Sequence, residues 1–102
     1  MDTFYKENIG IETPQGDPLD YFQIEYIGFD NTEAKSGAQI RFYFREADAL
    51  ENKIPNAGRT VFWPQVSDVI PTMQTELFSF DTIQTTAGET ITLKDPTKIW
   101  PG

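Results

Sequence analysis

Two stretches of the chain alternate apolar and polar residues in the manner of half-buried β-strands. The apolar positions are Phe22, Ile24 and Tyr26 in the first stretch and Ile40, Phe42 and Phe44 in the second. This period of two places each apolar set on one face of a strand. In the first stretch Ile27 and Phe29 follow on the other face, which makes both faces of its second half apolar. We therefore predict two paired strands joined by a polar loop over residues 30–37.

The hydrophobic pattern also predicts a register for this hairpin. We expect the antiparallel pairs to be Phe22 with Phe44, Ile24 with Phe42, Tyr26 with Ile40 and Glu25 with Arg41. These pairs keep both apolar sets on one face, whereas a slip of one residue would separate them.

The rest of the domain reads as short elements separated by Gly and Pro. A helix is predicted near residues 46–54, ending before Pro55. Strands are predicted over residues 60–63 and 76–81, and residues 66–70 are read as an edge strand or a packed loop. Residues 82–86 and 90–94 flank Ala87 and Gly88 as a tight hairpin.

Residues 1–20 show no sustained period and read as an irregular N-terminal arm. Four turn-forming residues interrupt them, at Gly10, Pro14, Gly16 and Pro18. The arm is nevertheless too apolar to be a purely solvated tail, so either the domain or a partner must cover it. We expect it to leave the domain and to be ordered by a partner or a neighbouring copy. The predicted partner-binding residues are Phe4, Tyr5, Ile9 and Ile11 in the arm and Trp100 in the C-terminal tail.

Together these patterns predict an all-β protein. We expect a small antiparallel β-sandwich or barrel of five to seven short strands, with at most one short helix, near residues 46–54. The arm, residues 1–20, precedes a single β domain over residues 21–102 that ends in a short tail. No helical pattern is long enough for the crossovers of a parallel sheet.

The chain of 102 residues contains no histidine and no cysteine. A Ser-His-Asp triad and thiol chemistry are therefore excluded. A Ser-Lys pair could be drawn only from the adjacent Lys35 and Ser36, and neighbouring loop residues are poorly placed to face each other. Carboxylates are plentiful, but glycoside hydrolysis normally requires a deep cleft, which a domain of this size rarely builds. We expect no enzymatic activity, no cofactor and no small-molecule substrate.

No metal site is predicted either. The oxygen-rich residues Asp30, Asn31 and Glu33 lack the spacing of a calcium-binding loop, so an ordinary polar hairpin loop is the better interpretation.

Charge is the next constraint on partners. The net charge of −8 is divided unevenly, with −7 in residues 1–34, +2 in residues 35–59 and −3 in residues 60–102. Direct binding of a phosphate backbone is disfavoured, because it depends on clustered Lys and Arg. The acidic first third and the basic middle could attract each other within one molecule or between neighbours.

The two tryptophans allow two interpretations. Trp63 and Trp100, each followed by proline, could form a platform for sugar rings. In a small domain, packing of both rings into or over the core is the favoured interpretation.

Three functional hypotheses follow. The first is a non-catalytic structural protein that binds a larger assembly, such as a phage capsid or tail lattice, or copies of itself. The others are an acidic inhibitor that mimics nucleic acid and a carbohydrate-binding module. The N-terminus lacks the apolar stretch of a signal peptide, and no apolar run is long enough to span a membrane. We therefore expect synthesis in the cytoplasm, no membrane association and use in an assembly such as a virion.

Overall fold

The computed structural model describes residues 3–30, 32–66, 68–94 and the backbone of 98–100. Within this part of the chain the elements are β1 Thr3–Tyr5, β2 Tyr21–Asp30, β3 Lys35–Tyr43, α1 Glu46–Leu50, β4 Ala57–Pro64, α2 Ile70–Ser79, β5 Ile83–Gln84, β6 Thr90–Ile91 and β7 Lys98–Trp100. The protein is mostly β, as the alternating patterns predict.

Five of the strands form one antiparallel sheet in the order β4-β3-β2-β1-β7. The predicted hairpin of β2 and β3 is confirmed, although its strands continue to Asp30 and Lys35 and so shorten the predicted loop. β5 and β6 form a separate two-stranded ribbon at the predicted second hairpin. The ribbon touches the edge of the sheet at β4, where Val61 is bridged to Thr85.

The predicted register of the β2–β3 hairpin is wrong. Phe22 is opposite Phe42 and Ile24 is opposite Ile40, so the first half of the hairpin is displaced by two residues from the prediction. The pairing then shifts by one residue between Ile24 and Tyr26, which are opposite Ile40 and Gln39. Glu25 is therefore an extra residue in β2, a β-bulge.

The core lies against one face of the sheet, here called the core face. It is filled by the fully buried side chains of Phe22, Ile40, Phe42 and Val61. α2 crosses this face, and the ring of Phe78 meets those of Phe4 and Phe22 edge-on at centroid distances of 5.1 and 6.3 Å. Ile91 in β6 and Leu93 complete the packing.

Residues 3–20 pack onto the domain, and the prediction of a free arm is wrong. β1 pairs with β2, and Phe4 lies opposite Phe22 with its ring stacked at 5.2 Å. The amide of Thr92 donates a hydrogen bond of 2.9 Å to the carbonyl of Ile9. Phe4, Ile9, Ile11 and Leu19 all belong to the core cluster. Pro14 and Gly16 form a turn, Gly10 lies at a bend and Pro18 is bridged to Glu12, so the segment folds back on itself between its buried positions.

α2 corrects two further predictions, the strand over residues 76–81 and the limit of one short helix. Pro71 reads as a stop signal in the sequence, but it lies in the first turn of α2, where a missing N–H costs no helical hydrogen bond. Met73 and Leu77, four residues apart, share the buried side. The predicted helix near 46–54 is present as α1, but it ends at Leu50.

The opposite side of the sheet, here called the outer face, is only partly covered. α1 contacts β1, β2 and β3 there. Gln23 is fully buried beneath it and donates from Nε2 to the Ala49 carbonyl and to Thr3 Oγ1, each at 2.9 Å. The far part of the outer face, toward the β2–β3 turn, carries several large side chains that remain accessible to solvent.

Candidate functional site

The bulge at Glu25 determines which large side chains reach the outer face. Before the bulge, Ile24 packs against the core; after it, Ile27 takes that role. Tyr26 is consequently turned to the outer face, where 60% of it is exposed. The adjacent apolar residues Tyr26 and Ile27 are the sequence signal of this change of face, because a regular strand would continue to alternate.

Two glycines beside Tyr26 leave bare backbone on the same face. Gly28 and Gly37 are cross-strand partners, and Gly37 is paired on its other side with Phe62. A methyl group at Gly37 would lie 2.8 Å from Cδ1 and Cε1 of the Phe62 ring, and one at Gly28 would lie 2.7 Å from Cζ of Tyr26. Both rings therefore lie over glycine backbone, an arrangement in which an aromatic side chain covers the gap that glycine leaves in a sheet.

These residues surround a depression of about 250 Å³ on the outer face. We call it the aromatic groove and define it by Tyr26, Gly28, Gly37, Gln39, Thr60 and Phe62. Phe29, Asp30 and Lys35 line it as well, at the end toward the β2–β3 turn. Phe62 is 51% exposed, so both rings present a large apolar area to water at a site that also offers amide and hydroxyl groups.

The charges around the groove are mixed. The Asp30 carboxylate accepts a hydrogen bond of 2.9 Å from the Thr32 amide, and the Lys35 ammonium lies 3.6 Å from Glu33. On the neighbouring strand segment, Arg41 donates to Glu25 at 2.7 Å. This hydrogen bond lowers the pKa of Glu25 and raises that of Arg41. The predicted attraction between the acidic first third and the basic middle is thus present within one molecule at these two ion pairs.

A more strongly acidic region lies at the opposite end of β2. Tyr5 donates to Glu7 at 2.7 Å, and this hydrogen bond, together with burial and the charges of Glu7 and Asp20, raises the pKa of Tyr5 to about 12. Burial, and then the charge of Glu7, raise the pKa of Asp20 above its ordinary value. The region therefore has a negative potential.

The structure does not bring the predicted partner-binding residues together on a surface. Phe4, Ile9 and Ile11 are at most 3% exposed and hold the core together. Their prediction as anchors for a partner is wrong for this fold, because residues this deeply buried have no surface to offer. Tyr5 is half-buried beside Tyr21, with ring centroids 5.2 Å apart. The side chain of Trp100 lies outside the described residues.

For Trp63, the favoured interpretation of a tryptophan packed into the core is confirmed. Trp63 is 4% exposed, and its ring lies 6.3 Å from that of Phe80, so it belongs to the core. Of the aromatic side chains that the structure describes, those of Tyr26 and Phe62 are the most exposed. Sequence reasoning passed over both, Tyr26 because its position in the alternation assigned it to the core and Phe62 because it lies in a short strand.

Lys35 and Ser36, the one Ser-Lys pair considered in the sequence, lie on opposite faces of β3. Ser36 is buried on the core face, whereas its neighbour Lys35 is exposed on the outer face, so the two side chains point apart. Among the residues that the structure describes, no group of three or more carboxylates gathers as a metal site. Asn31 of the predicted oxygen cluster falls outside those residues.

Comparison of the chain with protein-family models, with curated proteins and with solved structures finds no match. In the described part of the chain, neither helix has the length and apolar character needed to cross a membrane.

Proposed function

We propose that this protein is a non-catalytic binding protein that docks onto a larger protein assembly through the aromatic groove. The observation that carries the proposal is the exposure of Tyr26 and Phe62 side by side on the uncovered part of the outer face. Large aromatic side chains contribute much of the binding energy in protein interfaces when a partner removes them from water.

The groove has the composition of an interface centre. Its rings are surrounded by neutral polar residues, Gln39 and Thr60, and the charged residues stand at its end. Charged side chains are typically depleted at interface centres and present at the rim.

The net charge of −8 indicates what kind of surface the partner presents. An acidic protein associates faster with a basic surface, and opposite potentials help to select the partner. A capsid or tail lattice is the assembly to test first. In this proposal the aromatic groove replaces the free N-terminal arm as the docking element.

For the fold itself, we propose that α2 and the β5–β6 ribbon serve as the second layer of a small sandwich.

The test is co-sedimentation of the tagged full-length protein with the large assemblies of its native cell, including virus particles, on density gradients. The wild type is expected to migrate with one assembly at a fixed stoichiometry. The Tyr26→Ser and Phe62→Ser variants are expected to fold but not to bind the assembly. They should therefore stay at the top of the gradient. Ile54→Ser is the matched control, because Ile54 is 92% exposed but lies outside the groove, and it should migrate like the wild type. Equal co-sedimentation of all four proteins would overturn the proposal.

Carbohydrate binding is a second candidate, now at the groove instead of at the tryptophans. The observation that favours it is the combination of exposed rings with the Gln39 amide and the Thr60 hydroxyl. Retention of the wild type on immobilised glycans, with loss of retention in Phe62→Ser, would support this candidate.

A further inference from the structure

We propose that the aromatic groove receives an arginine side chain from the partner protein. The inference rests on the proposed docking function and names the group that the groove recognises. It follows from three properties of the site, namely its rings, its charges and its size.

The rings provide the attraction for a cation. Tyr26 and Phe62 are each more than half exposed, so a partner group can approach them directly. The face of an aromatic ring carries negative charge density and attracts ammonium and guanidinium groups, arginine more often than lysine. A guanidinium is planar and weakly hydrated, so it stacks on a ring with a smaller loss of hydration than an ammonium.

The charges around the groove also favour a cation. Asp30 and Lys35 line the turn end of the groove, and Glu33 stands beside Lys35 in the turn. Lys35 is within 4 Å of Glu33, while the contact found for the Asp30 carboxylate is the neutral Thr32 amide. Asp30, Glu33 and Lys35 together carry one net negative charge at this end of the groove, on a protein with a net charge of −8. A guanidinium at this end of the groove could donate to the Asp30 carboxylate through its several N–H groups.

The size of the groove selects a single side chain. A volume of about 250 Å³ is below the range of about 300 to 1,000 Å³ that is typical of sites for drug-sized ligands. The groove can take one long side chain, while the surrounding protein surfaces make the rest of the interface.

The experiment uses the ¹⁵N-labelled full-length protein and two small probes, N-acetyl-arginine amide and N-acetyl-citrulline amide. Citrulline has nearly the same shape as arginine but no charge. The arginine probe is expected to shift the amide signals of Gly28 and Gly37 to saturation, and the citrulline probe to bind at least about threefold more weakly. Added salt should weaken the binding of the arginine probe, because the attraction between the guanidinium and the groove is partly electrostatic.

Three variants and one control locate the interaction. Tyr26→Leu and Phe62→Leu keep an apolar side chain but remove the ring, and Asp30→Asn removes the charge. Each of these three variants should bind the arginine probe about threefold more weakly or worse. The amide signals of residues outside the groove should keep their wild-type positions. Ile54→Leu should bind like the wild type.

Equal binding of both probes, or unchanged binding in both leucine variants, would overturn the arginine assignment. Saturable binding of N-acetylglucosamine with no response to arginine would overturn it in favour of a carbohydrate. If neither probe shifts Gly28 or Gly37 but the serine variants still fail to co-sediment, the arginine assignment fails and the docking proposal stands.

Discussion

Phe42 shows how much a single side chain contributes in a domain of this size. It is fully buried on the core face, between Phe22 of β2 and Ala57 of β4. Two positions further on, Phe44 follows the end of β3 and is 46% exposed. The same residue type thus stands in two environments on one segment of chain.

Phe42→Ala is expected to lower the free energy of unfolding by roughly 3 to 5 kcal/mol, because it removes a buried ring and leaves a cavity. Phe44→Ala, the matched control, is expected to cost less than about 1 kcal/mol. Urea denaturation of both variants tests the contrast. Similar midpoints for the two variants would mean that Phe42 is not central to the core.

Asp20 provides a test of the acidic region. Burial and the nearby Glu7 raise its pKa in the folded state, so the charged form destabilises the fold. A carboxyl group with a raised pKa makes the protein more stable as the pH falls through that pKa. Asp20→Asn is therefore expected to raise the thermal midpoint at pH 7. The gain should shrink as the pH falls toward 3.8, the ordinary pKa of the group. A gain that does not change with pH would point to a cause other than charge.

At the level of elements, the N-terminal segment joins parts of the chain that are distant in sequence. β1 lies between β2 and β7 in the sheet. Further along the segment, the Ile9 carbonyl accepts a hydrogen bond from the amide of Thr92, which directly follows β6. Residues 3–12 of this segment contribute three side chains to the core, those of Phe4, Ile9 and Ile11.

Deletion of residues 2–12 is expected to unfold the protein. Each fully buried large apolar side chain contributes about 1.5 to 3 kcal/mol. The loss of three is therefore comparable with the 5 to 15 kcal/mol that stabilises a typical domain. Circular dichroism and the dispersion of amide signals would show the loss. Gln15→Ala, in the exposed turn of the same segment, should leave the fold intact. A folded deletion protein would restore the idea of a dispensable arm.

For the molecule as a whole, ion pairs connect its parts across the sequence. Arg59 in β4 donates through Nε and Nη2 to the two carboxylate oxygens of Glu89, which follows the β5 strand of the ribbon. This contact ties the edge of the sheet to the ribbon beside the bridge of Val61 and Thr85. It also lowers the pKa of Glu89.

Because of the Arg59–Glu89 pair, the free energy of unfolding is expected to depend on pH in the acid range. A carboxylate with a lowered pKa stabilises the fold above its ordinary pKa of 4.5, and the contribution is lost as the pH falls through the lower pKa of the folded state. Glu89→Gln should therefore be less stable than the wild type at pH 7, and the difference should narrow below pH 4.5. Denaturation of both proteins across this range is the measurement, with Glu12→Gln, an exposed carboxylate, as control. A constant difference would contradict the expectation.

The features that the sequence predicts correctly depend on neighbouring residues. The hairpin of β2 and β3, the start of α1 and the β5–β6 ribbon each follow from a local alternation, a helical spacing or a turn signal. α2 was missed because Phe78 and Phe80 alternate like a strand and Pro71 resembles a stop, while the helical spacing of Met73 and Leu77 is equally present in the sequence. Local windows contain both patterns and do not choose between them.

The aromatic groove depends on contacts that no local pattern contains. Composition alone excludes histidine and cysteine chemistry, and alternation alone predicts a β-rich protein. The side of the sheet on which Tyr26 lies depends on the bulge at Glu25, and the position of Phe62 depends on pairing with Gly37, which is 25 residues earlier in the chain. The burial of Phe4 likewise requires β2 and α2 to come together. Local patterns reflect backbone preferences and the period of side chains, whereas register, bulges and burial depend on the free energy of packing distant segments against each other.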